Sequence, residues 1–230
     1  MTTRTRRFLL AVIATGPLTV VTACGSSGSS TRSTSATASG TTATATGASC
    51  STTPPSTPAA PKTYAAAPKL TISTAKTYTA TMVTSCGTIV IRLEPKQAPV
   101  TVNNFVFLAG YKYYEGVIFH RIINGFVCQG GDPTGTGRGG PGYKFPDEPV
   151  KNRYQIGSLA MANAGPDTNG SQFFLISGPN GASLPPQYNH FGQVVKGLEI
   201  VDAMQSVPTG SGDRPKTDVV INSVTITVAD

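Results

Sequence analysis

The fold is decided by the stretch FHRIINGFVCQGGD, residues 119–132. Two short apolar-rich runs, residues 117–123 and 126–129, overlap this stretch. The dipeptide Asn124-Gly125 lies between them, and it is the strongest short-range signal for a hairpin with a two-residue turn. The sequence therefore predicts two antiparallel strands joined by a tight turn.

Arg121 lies within the first of these strands. Regular alternation would place Phe119, Arg121 and Ile123 on one face, and Ile118, His120 and Ile122 on the other. Arg121 would then be a cation among apolar neighbours, with Gln129 supplying a neutral donor and acceptor on the second strand. This arrangement suits a site that polarises a neutral group. The alternative is a solvated arginine on an exposed strand face.

Residues 76–230 are predicted to form one domain of ordinary size. Two helices are predicted, residues 99–109, which begin with Pro and stop at Gly110, and residues 198–205. Eight short strands with only two helices favour an antiparallel barrel or sandwich over an alternating α/β fold. The predicted strands are residues 78–84, 88–93, 117–122, 126–129, 158–162, 172–176, 190–194 and 219–228.

Residues 1–23 are predicted to be a signal peptide. Three arginines precede an apolar run, residues 8–21, that is too short to span a bilayer as a helix. The sequence Val-Thr-Ala-Cys at residues 21–24 resembles the lipobox of bacterial lipoproteins, so we expect lipidation of Cys24. Ordinary signal cleavage and an uncleaved anchor are the alternatives, and both Sec and twin-arginine export remain open.

Residues 24–75 are predicted to be the lipidated cysteine followed by a disordered tether. Of the 37 residues from 25 to 61, 35 are Ser, Thr, Gly, Ala or Pro. Such a segment cannot bury enough apolar area to offset its ordering entropy. The expected location is extracytoplasmic, with the domain attached to the bacterial cell membrane only through the lipid anchor.

Charge, cysteines and motifs exclude several other functions. Residues 76–230 contain 12 Lys and Arg against 11 Asp and Glu, so nucleic acid is not an expected partner. No Cys and His spacing resembles a zinc site, and the G-x-G-x-x-G at residues 135–140 is not followed by a helix. Cys128 is expected to be a buried free thiol, while pairing among Cys50, Cys86 and Cys128 stays open.

Two further segments share the chemistry of the hairpin: LAMANAGPDTNGSQFFLI at residues 159–176 and YNHFGQVV at residues 188–195. Each combines apolar residues with uncharged hydrogen-bonding groups. An apolar pocket with amide partners and one arginine suits an extended peptide. It does not suit proton abstraction or phosphate transfer.

Taken in order, the three segments resemble the cyclophilin family of peptidyl-prolyl cis–trans isomerases, over roughly residues 78–226. The resemblance implies a mainly β fold, a closed eight-stranded antiparallel β-barrel capped by two α-helices. It implies an enzyme that accelerates rotation of X–Pro bonds without a cofactor or metal. Its partners would be proline-containing peptides and unfolded exported proteins, and the chain would be a monomer.

The resemblance also implies roles for single residues. Arg121 falls on the catalytic position. The proline pocket would be formed by Phe126, Val127, Phe174, Leu184 and Tyr188. The peptide-binding positions would be Gln129, Ala162, Asn163, Ala164 and Gln172.

Three positions depart from the family pattern. Val127 replaces a frequent Met, Tyr188 replaces a frequent His, and Ser183 replaces a Trp that several members carry. Cyclosporin, a common inhibitor of the family, is therefore expected to bind this chain more weakly. A non-catalytic proline-peptide-binding or surface interaction module on the same fold is the alternative function, which the presence of Arg121 with a full pocket disfavours.

Overall fold

The computed structural model describes residues 50–51 and 63–230. The predicted signal peptide, Cys24 and most of the predicted tether lie outside these residues. Within the described ranges, no helix combines the length and the apolar character that crossing a membrane requires.

The described residues form eight strands and three α-helices. The strands are β1 (Thr77–Thr84), β2 (Gly87–Leu93), β3 (Arg121–Ile123), β4 (Val127–Gly130), β5 (Ser158–Met161), β6 (Phe173–Ile176), β7 (His190–Lys196) and β8 (Ile221–Ala229). The helices are α1 (Pro99–Gly110), α2 (Pro179–Ala182) and α3 (Leu198–Gln205). All eight predicted strands and both predicted helices are confirmed, with ends shifted by a few residues, and α2 is an addition.

The eight strands form one antiparallel sheet in the order β3-β4-β6-β5-β7-β2-β1-β8. The prediction of a mainly β, eight-stranded antiparallel fold is confirmed. The strand ladders leave β3 and β8 as the two end strands. Backbone hydrogen bonds join the residues just before β3 to the residues at the start of β8 and just before it. Gly116 N–H donates to Ile221 O at 2.8 Å, and Phe119 N–H donates to Val219 O at 2.8 Å.

The sheet buries its two faces in different clusters. On one face Ile122, Cys128 and Leu175 are register partners across β3, β4 and β6, and all three belong to the main core. Helix α1 packs into this core through Phe105, whose ring lies 5.4 Å from that of Phe191. The opposite face carries a smaller apolar cluster, formed by Val127, Tyr154, Ala160, Phe174 and Ile176.

Two local predictions for the hairpin are wrong. Ile123 pairs with Val127, so the connection contains three residues rather than two. Gly125 adopts φ +73° in a turn closed by the Phe126 N–H, which donates to Ile123 O at 3.1 Å. Phe119 does not share a face with Arg121, because it belongs to the main core with Ile122. The residues before β3 form only an isolated bridge at Ile118, so regular alternation does not extend through them.

A segment before β1 packs against the domain. Tyr64 N–H donates to Pro141 O at 2.8 Å, and the Tyr64 ring lies 5.2 Å from Phe107. Asn103 Oδ1 accepts a hydrogen bond from Thr71 N–H at 2.9 Å. These contacts place residues 64–71 against the domain.

The three cysteines among residues 50–51 and 63–230 divide into one pair and one free thiol. Cys50 and Cys86 form a disulfide across a sequence separation of 36. Cys128 is free and buried, as predicted. Burial raises the pKa of the Cys128 thiol to about 12. The remaining thiol is therefore unreactive at neutral pH.

Candidate active site

Strand register alone places Arg121 beside an apolar pocket. Arg121 pairs with Gln129 across β3 and β4, and Gln129 pairs with Phe174 across β4 and β6. Directly paired residues point to the same side of a sheet. The three side chains therefore form one row on the face opposite the main core.

The Arg121 side chain is 39% exposed. Its Nε donates to Asp213 Oδ2 at 3.3 Å, and Asp213 is 47% exposed in its side chain. The terminal guanidinium nitrogens have no hydrogen-bond partner among residues 50–51 and 63–230. Arg121 can therefore donate to a ligand in the adjacent groove.

The pocket beside Arg121 has an aromatic wall. The rings of Phe174 and Tyr188 meet edge to face, with centroids 5.3 Å apart. Phe126, Leu184 and Tyr188 are partly buried against the cluster that contains Val127 and Phe174. The structure thus brings together all five residues assigned to the proline pocket.

Tyr154 fixes one side of this pocket. Its hydroxyl donates to Tyr188 O at 2.7 Å and accepts from Tyr188 N–H at 2.9 Å. Burial raises the pKa of Tyr154, partly opposed by the hydrogen bond to Tyr188. The role of Tyr154 is not predicted from the sequence, because nothing local in the sequence connects Tyr154 to Tyr188.

Helix α2 closes another side of the pocket and carries the chain to Leu184. It lies on the hairpin turn, where Asn180 N–H donates to Gly125 O at 3.1 Å and Ser177 N–H donates to Phe126 O at 3.0 Å. Gly178 makes this approach possible, since a Cβ there would overlap the backbone of Gly125. The Gly-Pro pair at the start of α2 is the sequence signal for this helix.

The predicted peptide-binding residues line one open depression of about 820 Å³. Gln129 Nε2 donates to Gln172 Oε1 at 3.1 Å, and Gln172 Nε2 donates to Gly139 O at 2.9 Å. The backbone N–H and C=O of Asn163 have no partner within the described ranges, so both are available to an extended peptide. The five residues that share this depression are Gln129, Ala162, Asn163, Ala164 and Gln172.

A buried carboxylate organises the loop along this depression. Asp132 is fully buried and accepts hydrogen bonds from Thr134 N–H at 2.7 Å and Gly139 N–H at 3.0 Å. Burial acts to raise the pKa of Asp132, but the hydrogen bonds from Thr134, Gly139 and Gly137 outweigh it and lower the pKa. Asp132 therefore remains ionised and holds the loop whose carbonyls orient Gln172.

Ser183 lies at the end of α2, next to Leu184. Its Oγ donates to Pro179 O at 3.0 Å, and the residue is exposed. Ser183 and Leu184 line a second cavity of about 410 Å³ together with Tyr154 and Arg153. This position places Ser183 at the rim of the site.

The family model described as cyclophilin type peptidyl-prolyl cis-trans isomerase/CLD matches residues 79–226. Peptidyl-prolyl cis-trans isomerase B of Streptomyces anulatus is 50% identical over 163 residues, which are 62% of this chain and 93% of the relative. Peptidyl-prolyl cis-trans isomerase A of Mycobacterium tuberculosis is 47% identical over 162 residues, covering 62% of this chain and 88% of the relative.

A solved structure shows the same fold. The crystal structure of a cyclophilin type peptidyl-prolyl cis-trans isomerase from Cryptosporidium parvum is 33% identical, with a TM-score of 0.62 over 66% of this chain and 98% of that one. A second crystal structure of that protein, in the presence of the dipeptide Ala-Pro, has a TM-score of 0.61 at 35% identity, over 65% of this chain and 98% of that one. The chain therefore belongs to the cyclophilin family of enzymes, the cyclophilin-type peptidyl-prolyl cis–trans isomerases.

Proposed function

We propose that Arg121 catalyses the rotation of X–Pro bonds in proline-containing peptides bound along the groove. Amide resonance gives peptide-bond rotation a barrier of ~18–20 kcal/mol. In the twisted transition state the nitrogen lone pair is no longer delocalised, and it becomes a hydrogen-bond acceptor. A donor aimed at that nitrogen interacts with the transition state and with neither planar ground state, so it lowers the barrier.

An arginine suits this task. The guanidinium remains charged at physiological pH and presents several donors in a rigid plane. With Nε occupied by Asp213, the terminal nitrogens of Arg121 are left for the prolyl nitrogen. No proton needs to be removed from the substrate, and no covalent bond forms or breaks.

The rest of the groove holds the peptide on either side of the rotating bond. The proline ring would lie against Phe126, Phe174 and Leu184, which form the apolar pocket next to Arg121. The flanking peptide would pair with the backbone of Asn163 and with Gln129. Anchoring one side of the bond lets the other side rotate.

The observation that carries this proposal is the row formed by Arg121, Gln129 and Phe174. It places one donor-rich cation beside one apolar pocket on the face opposite the main core. Replacing Arg121 by Ala should lower kcat by about 10²–10³, the usual cost of losing one transition-state donor. A protease-coupled assay on a proline tetrapeptide measures this.

The matched control is Arg92→Ala. Arg92 is an exposed arginine on β2 that is also paired with a carboxylate, Glu94. This variant should retain wild-type turnover. Near-normal turnover of Arg121→Ala would overturn the assignment of Arg121.

We further propose that the enzyme is a bacterial lipoprotein, exported and anchored through Cys24, which acts on unfolded exported proteins. Three features support this: the lipobox-like sequence at residues 21–24, the long Ser/Thr/Ala-rich segment that follows it, and the Cys50–Cys86 disulfide. Disulfides persist in oxidising compartments outside the cytoplasm. Cys24→Ser should move the protein from the membrane fraction to the soluble or unprocessed pool, and retention in the membrane after signal removal would contradict lipidation.

We also infer that the sheet closes into a barrel between residues 116–119 and 219–221. The hydrogen bonds from Gly116 N–H and Phe119 N–H support this, as does a third from Ile221 N–H to Val117 O at 2.8 Å. In a closed barrel, the amides of Gly116, Phe119 and Ile221 should exchange with solvent as slowly as those of the central strands. Rapid exchange at these three positions would indicate an open edge.

A further inference from the structure

Asp213 is the carboxylate that contacts Arg121. The contact joins Arg121 Nε to Asp213 Oδ2 at 3.3 Å and connects residues 92 positions apart in the chain. In the part of the chain that the structure describes, Asp213 is the sole hydrogen-bond partner and the sole ion-pair partner of the Arg121 side chain. The orientation of the guanidinium therefore depends on this one residue.

The backbone around Asp213 is held in an uncommon conformation. Asp213 has φ +60° and the preceding Gly212 has φ +68°. Among residues with a side chain, Asp and Asn tolerate this left-handed region best. The conformation directs the short carboxylate of Asp213 towards β3.

Hydrogen bonds fix the position of this loop. Gly210 N–H donates to Arg214 O at 2.7 Å, which closes the loop at its base. The Arg214 side chain donates to Gly135 O at 2.8 Å and to Asp218 Oδ1 at 3.0 Å. Asp213 is thus presented from a loop that is fixed on both sides.

The geometry of the contact favours catalysis. A carboxylate that accepts from Nε fixes the plane of the guanidinium and leaves both terminal nitrogens free. A carboxylate bound to the terminal nitrogens would compete with the substrate for them. Fixing the plane beforehand reduces the rotamer freedom that Arg121 must lose when the transition state forms.

We propose that Asp213 is a positioning residue that orients Arg121 for donation to the prolyl nitrogen. This inference rests on the proposed role of Arg121. In this role Asp213 acts through the guanidinium rather than on the peptide, so its loss should affect kcat rather than KM.

The test replaces Asp213 by Gly in the full-length protein. Glycine accepts the left-handed backbone without strain, so the variant should fold and keep the wild-type melting temperature. We expect kcat to fall about two- to fivefold, the range for losing one partly exposed ion pair, with KM unchanged. Asp213→Asn retains an acceptor oxygen and a side chain suited to the same backbone, so it should recover part of the loss.

A double-variant cycle shows whether Asp213 acts through Arg121. In the Arg121→Ala background, Asp213→Gly should cause no further loss of the residual exchange rate, measured by NMR at high enzyme concentration. An equal loss in both backgrounds would mean that Asp213 acts independently of Arg121, and would overturn the proposal. The control Asp230→Asn removes an exposed carboxylate that pairs with Lys76 rather than with a residue of this loop, and it should leave kcat unchanged.

The outcomes separate this inference from the proposed function. If Arg121→Ala is inactive while Asp213→Gly retains full kcat, the positioning role is wrong and the role of Arg121 stands. If Arg121→Ala retains near-normal turnover, the proposed mechanism itself is wrong. If Asp230→Asn reproduces the loss seen in Asp213→Gly, the effect belongs to the loss of one negative charge in general and the positioning role is overturned.

Discussion

At the scale of single residues, the candidate site has one charged hydrogen-bond donor and, beside it, one apolar pocket. In the proposed mechanism Arg121 supplies the donor, and Asp213 contacts its guanidinium from the side. Phe174 and Tyr188 supply an edge-to-face aromatic wall. Binding and barrier lowering are therefore assigned to different side chains.

Ser183 gives a prediction about ligand range. Cyclosporin should inhibit this enzyme about ten- to a hundredfold more weakly than members with Trp at this position, because a large aromatic surface is missing. Ser183→Trp should recover part of the inhibition. Its position at the rim beside Leu184 leaves room for the larger side chain. Inhibition constants for both proteins, measured with the same peptide, check this.

The turnover of a small proline peptide by wild type and by Ser183→Trp is the control for the inhibition measurement. In the proposed binding mode small peptides place their proline against Phe126, Phe174 and Leu184 rather than against Ser183, so Ser183→Trp should leave kcat/KM nearly unchanged. Equal inhibition of wild type and Ser183→Trp would show that residue 183 does not contact the inhibitor.

At the scale of elements, the pocket depends on the docking of α2 onto the β3–β4 turn. Gly178→Ala would introduce a Cβ that overlaps the backbone of Gly125. Relieving this overlap must move α2, and Leu184 with it. We expect a loss of about 1–3 kcal/mol in unfolding free energy, typical of overpacking, and a lower kcat/KM. Urea titration and the peptide assay measure the two effects.

Gly110→Ala is the matched control. A Cβ at Gly110 meets no atom within 4 Å, and its backbone φ is not positive. This variant should be as stable and as active as wild type. If Gly178→Ala behaves in the same way, the hairpin and α2 are not tightly coupled.

The sequence predicts the strands and helices better than it predicts the contacts between residues that are distant in the chain. Strand β6 and helix α1 follow from local apolar pattern and a leading proline, which act within a few residues. The row from Arg121 to Phe174 also follows once the hairpin and the family resemblance are known. The Arg121–Asp213 and Tyr154–Tyr188 contacts depend on how distant loops meet, which no local pattern encodes.

At the scale of the whole molecule, the Cys50–Cys86 disulfide joins a residue of the predicted tether to the β1–β2 turn. Closing a loop with a sequence separation of 36 should stabilise the oxidised protein by about 2–4 kcal/mol, chiefly by restricting the unfolded chain. Cys50→Ala should lose this stabilisation while retaining turnover, because neither cysteine lines the groove. Denaturant titration with and without reductant measures the difference.

Wild type should respond to reductant, whereas Cys50→Ala should not. The buried Cys128 thiol should not contribute to this response, because its pKa of about 12 keeps it protonated and unreactive at neutral pH. Equal stability of oxidised and reduced wild type would contradict a stabilising role for the disulfide.

Two buried histidines predict an acid-sensitive fold. Burial lowers the pKa of His120, with Asp132 opposing this, and burial also lowers the pKa of His190, opposed by its hydrogen bond with Gly192. Below pH 6.5 the unfolded chain binds these protons before the folded chain does. Unfolding free energy should therefore fall as pH drops from 6.5 towards the folded-state pKa values.

Replacing both histidines by Gln should flatten this pH dependence. Thermal melts across the same range compare the two proteins. A slope that persists in the double variant would assign the acid sensitivity to carboxylates instead.

We expect Arg121 to act on the transition state of X–Pro rotation and not on ground-state binding of the peptide. NMR exchange spectroscopy on an Ala-Pro peptide measures both quantities in one sample, the cis–trans exchange rate and the dissociation constant. For Arg121→Ala we expect the catalysed exchange rate to fall by about 10²–10³ while the dissociation constant stays close to that of wild type. Undiminished exchange with weaker peptide binding would contradict it.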